Sequence, residues 1–123
     1  MPYPLHQILV IDIEATCWEG NPPPDQENEI IEIGLCVVEP YTGNRVEKKS
    51  ILVRPERSQV STFCTQLTSL TQGQVDGGIS FQKACQILQD MYHSKDSVWA
   101  SYGDYDRELF EKQCFLFARI WTY

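Results

Sequence analysis

The sequence predicts a mixed α/β domain. Three observations carry this expectation: a run from Gln7 to Glu14 that is almost continuously β-branched or apolar until Asp12, two more strand-like stretches behind it, and a second half whose apolar residues recur at helical spacing. At 123 residues the chain has the usual size of one domain, enough to bury a core and with no room for a second. The resulting order is three strands, helices, a strand and a last helix, which layers helices on a sheet.

The first run, Gln7 to Glu14, reads as a central strand buried on both faces. Asn21-Pro22-Pro23-Pro24-Asp25-Gln26 reads as a loop overhanging the end of that strand, because prolines cannot donate to a ladder and stiffen the chain. A second strand is expected from Glu29 to Glu39 and a third from Arg45 to Val53, with Tyr41-Thr42-Gly43-Asn44 as the turn of an antiparallel hairpin. Lys48 and Lys49 suit the third strand to a sheet edge, where charge discourages pairing with another molecule. Val60, Phe63, Cys64, Leu67 and Leu70 then fall at helical spacing behind Ser61, a natural N-cap. Phe81, Ala84, Cys85, Leu88, Met91 and Tyr92 repeat the pattern behind Ser80. A short strand from Val98 to Tyr102 is bounded by Gly103, and Asp104 can cap a last helix through Leu109, Phe110 and Cys114.

A composition of 42% hydrophobic and 22% charged residues excludes a disordered or fibrous chain. The formal net charge of −7 argues against holding nucleic acid through a broad basic face, so any such contact should be local and cation-assisted. Five widely spaced cysteines, Cys17, Cys36, Cys64, Cys85 and Cys114, include no C-x-x-C pair and read as reduced, mostly buried thiols. The apolar run Ile8 to Ile11 is too short for a signal peptide or a membrane span, so no membrane association is expected. Reduced thiols point to the cytoplasm, with the nucleus as the alternative.

Asp12 and Glu14 are one residue apart on a strand, so both side chains leave the same face while Ile13 points the other way. Two acids sharing a small volume repel one another unless a proton or a cation compensates, and Mg²⁺ or Mn²⁺ is the natural partner for carboxylate oxygens. The plainer explanation of a D-x-E at a strand end is that the strand surfaces there.

The wider pattern decides between these. Asp12-Ile13-Glu14-Ala15-Thr16-Cys17, Asn28-Glu29-Ile30-Ile31-Glu32-Ile33-Gly34, Arg54-Pro55, and Phe63-Cys64-x-x-Leu67-Thr68-x-x-Thr71-Gln72-x-x-Val75 occur in one order. Together they resemble the DEDDh 3′-to-5′ exonucleases, which are DnaQ-like and have an RNase H-like fold. The resemblance is to the branch of histone-mRNA and small-RNA 3′ exonucleases and KapD-like bacterial relatives. It runs from about 7 to 114, leaving 115–123 as an atypical apolar tail. The family's usual Leu-Thr-Gly-Ile reads Leu67-Thr68-Ser69-Leu70 here.

The resemblance implies a metal-dependent exonuclease that hydrolyses the terminal phosphodiester of RNA or DNA and releases nucleoside monophosphates. Trp99 to Asp106 resembles the family's second catalytic block, which makes Asp106 a third carboxylate ligand and leaves Asp104 as a helix cap. By the same resemblance Asp12 would bridge two Mg²⁺ or Mn²⁺ ions, Glu14 would hold the nucleophile-side ion, and Asp106 would support the second. The segment Glu14, Ala15, Thr16, Cys17 and Trp18, with Phe63 and Leu67, resembles the part that cradles the terminal nucleotide of a single-stranded 3′ end. Trp18 offers a stacking surface, although a Trp just beyond a strand ordinarily packs. The family's general-base His, with an Asp five residues after it, has no counterpart here, since His6 precedes the first strand and His93 ends a helix. The sequence therefore reads as C-terminally incomplete for this fold and weak or inactive as an enzyme by itself. The alternative is a catalytically impaired nucleic-acid-binding or regulatory module, with a protein partner or self-association through Phe115, Leu116, Phe117, Ile120 and Trp121.

Overall fold

The computed structural model describes residues 7–101 and 103–116, without the side chains of Phe115 and Leu116. The apolar tail from 117, His6 and Tyr102 lie outside the described residues. One four-stranded sheet forms the centre, with the order β3-β2-β1-β4. Its strands are β1 (Ile8–Ala15), β2 (Ile30–Val38), β3 (Arg45–Leu52) and β4 (Val98–Ala100). β1 pairs antiparallel with β2 and parallel with β4, and β2 pairs antiparallel with β3, so β1 is interior and β3 is an edge.

The expected strand buried on both faces is buried on one. Leu9, Ile11, Ile13 and Ala15 are buried, whereas Val10 and Asp12 are exposed between them. Helices α3 (Phe81–Tyr92) and α4 (Tyr105–Leu116) supply the covering layer for the first set, and Phe81, Ala84, Cys85, Leu88, Leu109, Phe110 and Cys114 join them in one core. Trp99 meets Phe110 edge-on at 5.7 Å between ring centroids. Among the described residues, no element covers the outward face around Val10 as these helices cover the other, and composition alone could not distinguish the two cases.

At the far end of β1 the β1–β2 register shifts between Glu14 and Ala15. This bulge explains why the consecutive residues Ile30 and Ile31 are both buried. Ile30 enters the main core, and Ile31 joins a second cluster with Cys64, Leu70 and Val75. That second cluster is built by α1 (Thr62–Thr68) and α2 (Gln72–Asp76). Ser61 caps α1 as expected, its hydroxyl accepting from the Cys64 amide at 3.0 Å. The sequence reading missed α2, whose single turn is started by a capping box of Thr71 and Gln74. All five cysteines are free thiols, with Cys64, Cys85 and Cys114 buried and Cys17 and Cys36 half-buried. Among the described residues no helix is long and apolar enough to cross a membrane.

Candidate active site

β1 carries Asp12 and Glu14 outward on one face while Ile11 and Ile13 point into the core, as strand alternation requires. Asp12 is exposed and Glu14 is half-buried. The third carboxylate arrives from the first turn of α4. β4 ends at Ala100, opposite Val10, so β1 continues past its parallel partner. The Ile13 amide there is answered by a side chain: it donates to Asp106 Oδ2 at 3.3 Å. This bond holds Asp106 against the backbone between Asp12 and Glu14. Asp104, immediately ahead of α4, accepts from the Glu108 amide at 2.9 Å through its carbonyl and meets Arg107 at 3.5 Å through its carboxylate.

Glu14 and Asp106 feel burial and the acids around them. Burial pushes the Glu14 carboxyl above its usual range, and the charges of Asp12, Glu32 and Asp106 push it further. Burial also raises Asp106, with Asp12 adding to the effect and the Ile13 amide opposing it. Glu32, which the sequence reading did not select, lies directly opposite Glu14 in the β1–β2 pairing. Ser50 donates to its Oε2 at 2.8 Å. Opposite Asp12 stands Gly34, where a Cβ would come within 3.1 Å of the Asp12 carbonyl oxygen and 3.8 Å of its Cβ. The absence of a side chain there keeps the space beside Asp12 open.

Among the described residues, no three His, Cys, Asp or Glu side chains converge as a ready-made ligand set. The donor chemistry nevertheless fits a hard divalent cation. Asp12, Glu14 and Asp106 offer carboxylate oxygens, the repulsion that Asp12 and Asp106 exert on Glu14 is relieved by positive charge, and Gly34 leaves room beside Asp12.

Larger side chains lie on the segment after β1 and on α1. Trp18 and Phe63 are half-buried, and Leu67 is 67% exposed on α1. The segment after β1 is tied to this helix, because the Ser61 hydroxyl donates to the Cys17 carbonyl at 2.7 Å and the Cys64 thiol donates to the Ala15 carbonyl at 3.5 Å. Burial and the neighbouring Cys64 thiol push Cys17 up to about 11, which keeps it a neutral thiol rather than a nucleophile. Ala15 and Thr16 are buried, 8% and 0% exposed. The Thr16 hydroxyl accepts from the Glu29 amide at 2.8 Å and sits 2.9 Å from the Ser58 hydroxyl. Glu29, itself 1% exposed, accepts from the Glu56 and Arg57 amides at 2.8 Å and from Ser58 at 2.6 Å. Its buried charge clamps the loop after β3 to the start of β2. A Glu followed by two isoleucines was the available signal, although the sequence reading used it as a family mark without assigning this role.

His93 is remote from the acids. It ends α3 in a left-handed conformation, next to Tyr92, whose carbonyl accepts from Gln7 at the opposite end of β1.

The exonuclease family RNase_T matches residues 9–120. The chain belongs to this exonuclease family. Human 3'-5' exoribonuclease 1 is 39% identical over 90 residues, covering 72% of this chain and 26% of the relative. The probable 3'-5' exonuclease KapD of Bacillus subtilis is 30% identical over 111 residues, covering 89% and 53%. The crystal structure of the nuclease domain of 3'hExo, a DEDDh family member bound to rAMP, superposes with a TM-score of 0.81 at 32% identity, over 96% of this chain and 62% of that one. A 3'-exonuclease whose structure describes 3'-end recognition of a histone mRNA stem-loop superposes at 0.79 and 32% identity, over 94% and 42%. The chain thus spans about a quarter of the human relative and about half of the bacterial one. Its mixed sheet with flanking helices is the RNase H-like exonuclease fold, and the DEDDh family is generally dependent on divalent metals.

Proposed function

We propose that this chain carries the first catalytic blocks of a metal-dependent 3′-to-5′ exonuclease that releases nucleoside monophosphates from single-stranded RNA or DNA. The observation that carries the reading is the bond at 3.3 Å from the Ile13 amide, between Asp12 and Glu14 on β1, to the Asp106 carboxylate of α4. RNA is the preferred substrate class, in keeping with the similarity to exoribonucleases.

Asp12, Glu14 and Asp106 would hold Mg²⁺ or Mn²⁺ through their carboxylate oxygens. Cations bound there would activate the attacking water and stabilise the phosphoryl oxygens of the scissile bond. The chain's own residues do the positioning. Phe63 and Leu67 would pack against the terminal base or ribose, Trp18 and Cys17 would line the entry, and the backbone of Ala15 and Thr16 would support the cradle from beneath. The stretch contains no His-x-x-x-x-Asp, so turnover by these residues alone should be slow.

The deciding experiment incubates the chain with single-stranded RNA labelled at its 5′ end and analyses the products. Stepwise shortening with release of mononucleotides, more with Mn²⁺ than with Mg²⁺ and absent in Asp12→Ala, is the expected result. Cleavage that survives Asp12→Ala or a chelator would belong to a contaminant and remove the assignment. Binding of the RNA without any shortening would favour a non-catalytic module of the same fold.

A further inference from the structure

Glu32 is a carboxylate that the proposed centre does not use, yet the fold places it at that centre's shoulder. It is the Cα partner of Glu14 in the antiparallel β1–β2 pairing. Like charges directly opposite one another on such a pair destabilise it, so a sheet built for stability alone would place a neutral or basic residue there. Here the carboxylate is anchored instead: the Ser50 hydroxyl, arriving from β3, donates to Glu32 Oε2 at 2.8 Å. The next residue of β2 on that face, Gly34, has no side chain and leaves the space beside Asp12 open.

We propose that Glu32, held by Ser50 and directly opposite Glu14, is a positioning residue whose charge turns Glu14 toward a divalent cation and tightens the centre's hold on it. The inference rests on the metal-centre reading given above. Glu32 acts on Glu14 by charge, from the neighbouring strand and at the distance of a cross-strand pair, adding to the negative field that a cation at Glu14 would meet. Its repulsion of Glu14 is unfavourable in the cation-free chain and is relieved when positive charge arrives.

The test titrates Mn²⁺ alone into the wild-type chain and four variants by calorimetry, with cation-free melting measured alongside. Glu32→Gln should raise the Mn²⁺ Kd by about tenfold, at the lower end of what loss of an orienting neighbour produces. It should leave the cation-free melting temperature unchanged or higher. Ser50→Ala keeps every carboxylate and should raise Kd by a smaller factor, which carries the test if Glu32→Gln does not fold. Asp90→Asn, on the exposed face of α3, controls for net charge and should leave Kd unchanged. Asp12→Asn should abolish binding. An unchanged Kd in both Glu32→Gln and Ser50→Ala, with Asp12→Asn inactive in binding, overturns the role of Glu32 and leaves the centre standing. Equal weakening by Asp90→Asn reduces the effect to net charge and overturns it too. No Mn²⁺ binding by the wild-type chain, or undiminished binding by Asp12→Asn, removes the centre and this inference together.

Discussion

At the scale of single residues, the two half-buried acids make a pH-dependent prediction. Glu14 and Asp106 both titrate above their ordinary range, chiefly through burial. A carboxyl raised in the folded state favours folding when protonated, so that contribution is full below its ordinary value and is lost as pH rises through the folded value. A bound cation reverses the preference by favouring the ionised form. The rise in melting temperature on adding Mn²⁺ should therefore be largest near neutral pH and fade as pH falls through the carboxylate range, and Asp12→Ala should remove it at every pH. A cation effect independent of pH would place the ion elsewhere. Gly34 gives a second prediction at this scale. A methyl group there would meet the Asp12 carbonyl oxygen at 3.1 Å, closer than ordinary contact, so Gly34→Ala should shift β1 against β2. The expected result is a loss of about 1 kcal/mol or more in chemical denaturation, together with weaker Mn²⁺ binding, because the crowding falls where Asp12 leaves the sheet.

At the scale of elements, the clamp around Glu29 carries the heavier consequence. Three donors, the Glu56 and Arg57 amides and the Ser58 hydroxyl, converge on a carboxylate that is 1% exposed. Glu29→Ala would strand them, and since hydrogen bonds to a buried charge contribute about 1.5–3 kcal/mol each, a loss of about 3 kcal/mol or more is expected in urea unfolding. Ser80→Ala, which removes the hydroxyl that accepts from Lys83 at the start of α3, should cost about 1 kcal/mol. This difference tracks what the sequence made legible. The caps Ser61 and Ser80, the hairpin around Gly43 and the bounds of α3 are local events, written in neighbouring residues. Asp12 and Glu14 were legible for the same reason, as near neighbours on one strand. Asp106 lies 93 positions from its backbone partner Ile13, and family resemblance was needed to join them. Glu29 joins Thr16 and Ser58 through space, and Glu32 meets Glu14 through a register that no local pattern reports. The capping box that starts α2 was local and still went unread, because a single turn carries too little apolar periodicity to register.

At the scale of the whole molecule, one side of the sheet is covered by α3 and α4, while the other leaves Val10 37% and Val98 51% exposed, with Val46 67% exposed near the β3 edge. Exposed β-branched residues on a sheet face favour association, so light scattering should show the average mass rising with concentration, and Val10→Lys should suppress the rise. A monomer at every concentration would show that this face needs no cover. Catalysis supplies the last prediction. Asp12, Glu14 and Asp106 are held by β1 and α4, two elements anchored in the same core, and α4 is further pinned by Gln113, whose side chain accepts from the Ile30 amide at 2.8 Å. The three proposed ligands therefore sit on elements anchored in one core before any general base is supplied. If transition-state electrostatics and proton transfer contribute separately, the chain should show slow, Mn²⁺-dependent hydrolysis that Asp12→Ala abolishes. A chain extended behind Cys114 with the family's His-to-Asp segment should then be faster by about 10²- to 10⁴-fold, the usual contribution of a positioned base, and should acquire a pH–rate limb that the shorter chain lacks. An extended chain that folds, binds Mn²⁺ and still leaves the RNA intact would show that Asp12, Glu14 and Asp106 hold a cation without a reactive geometry, and the nuclease reading would give way to that of a binding module.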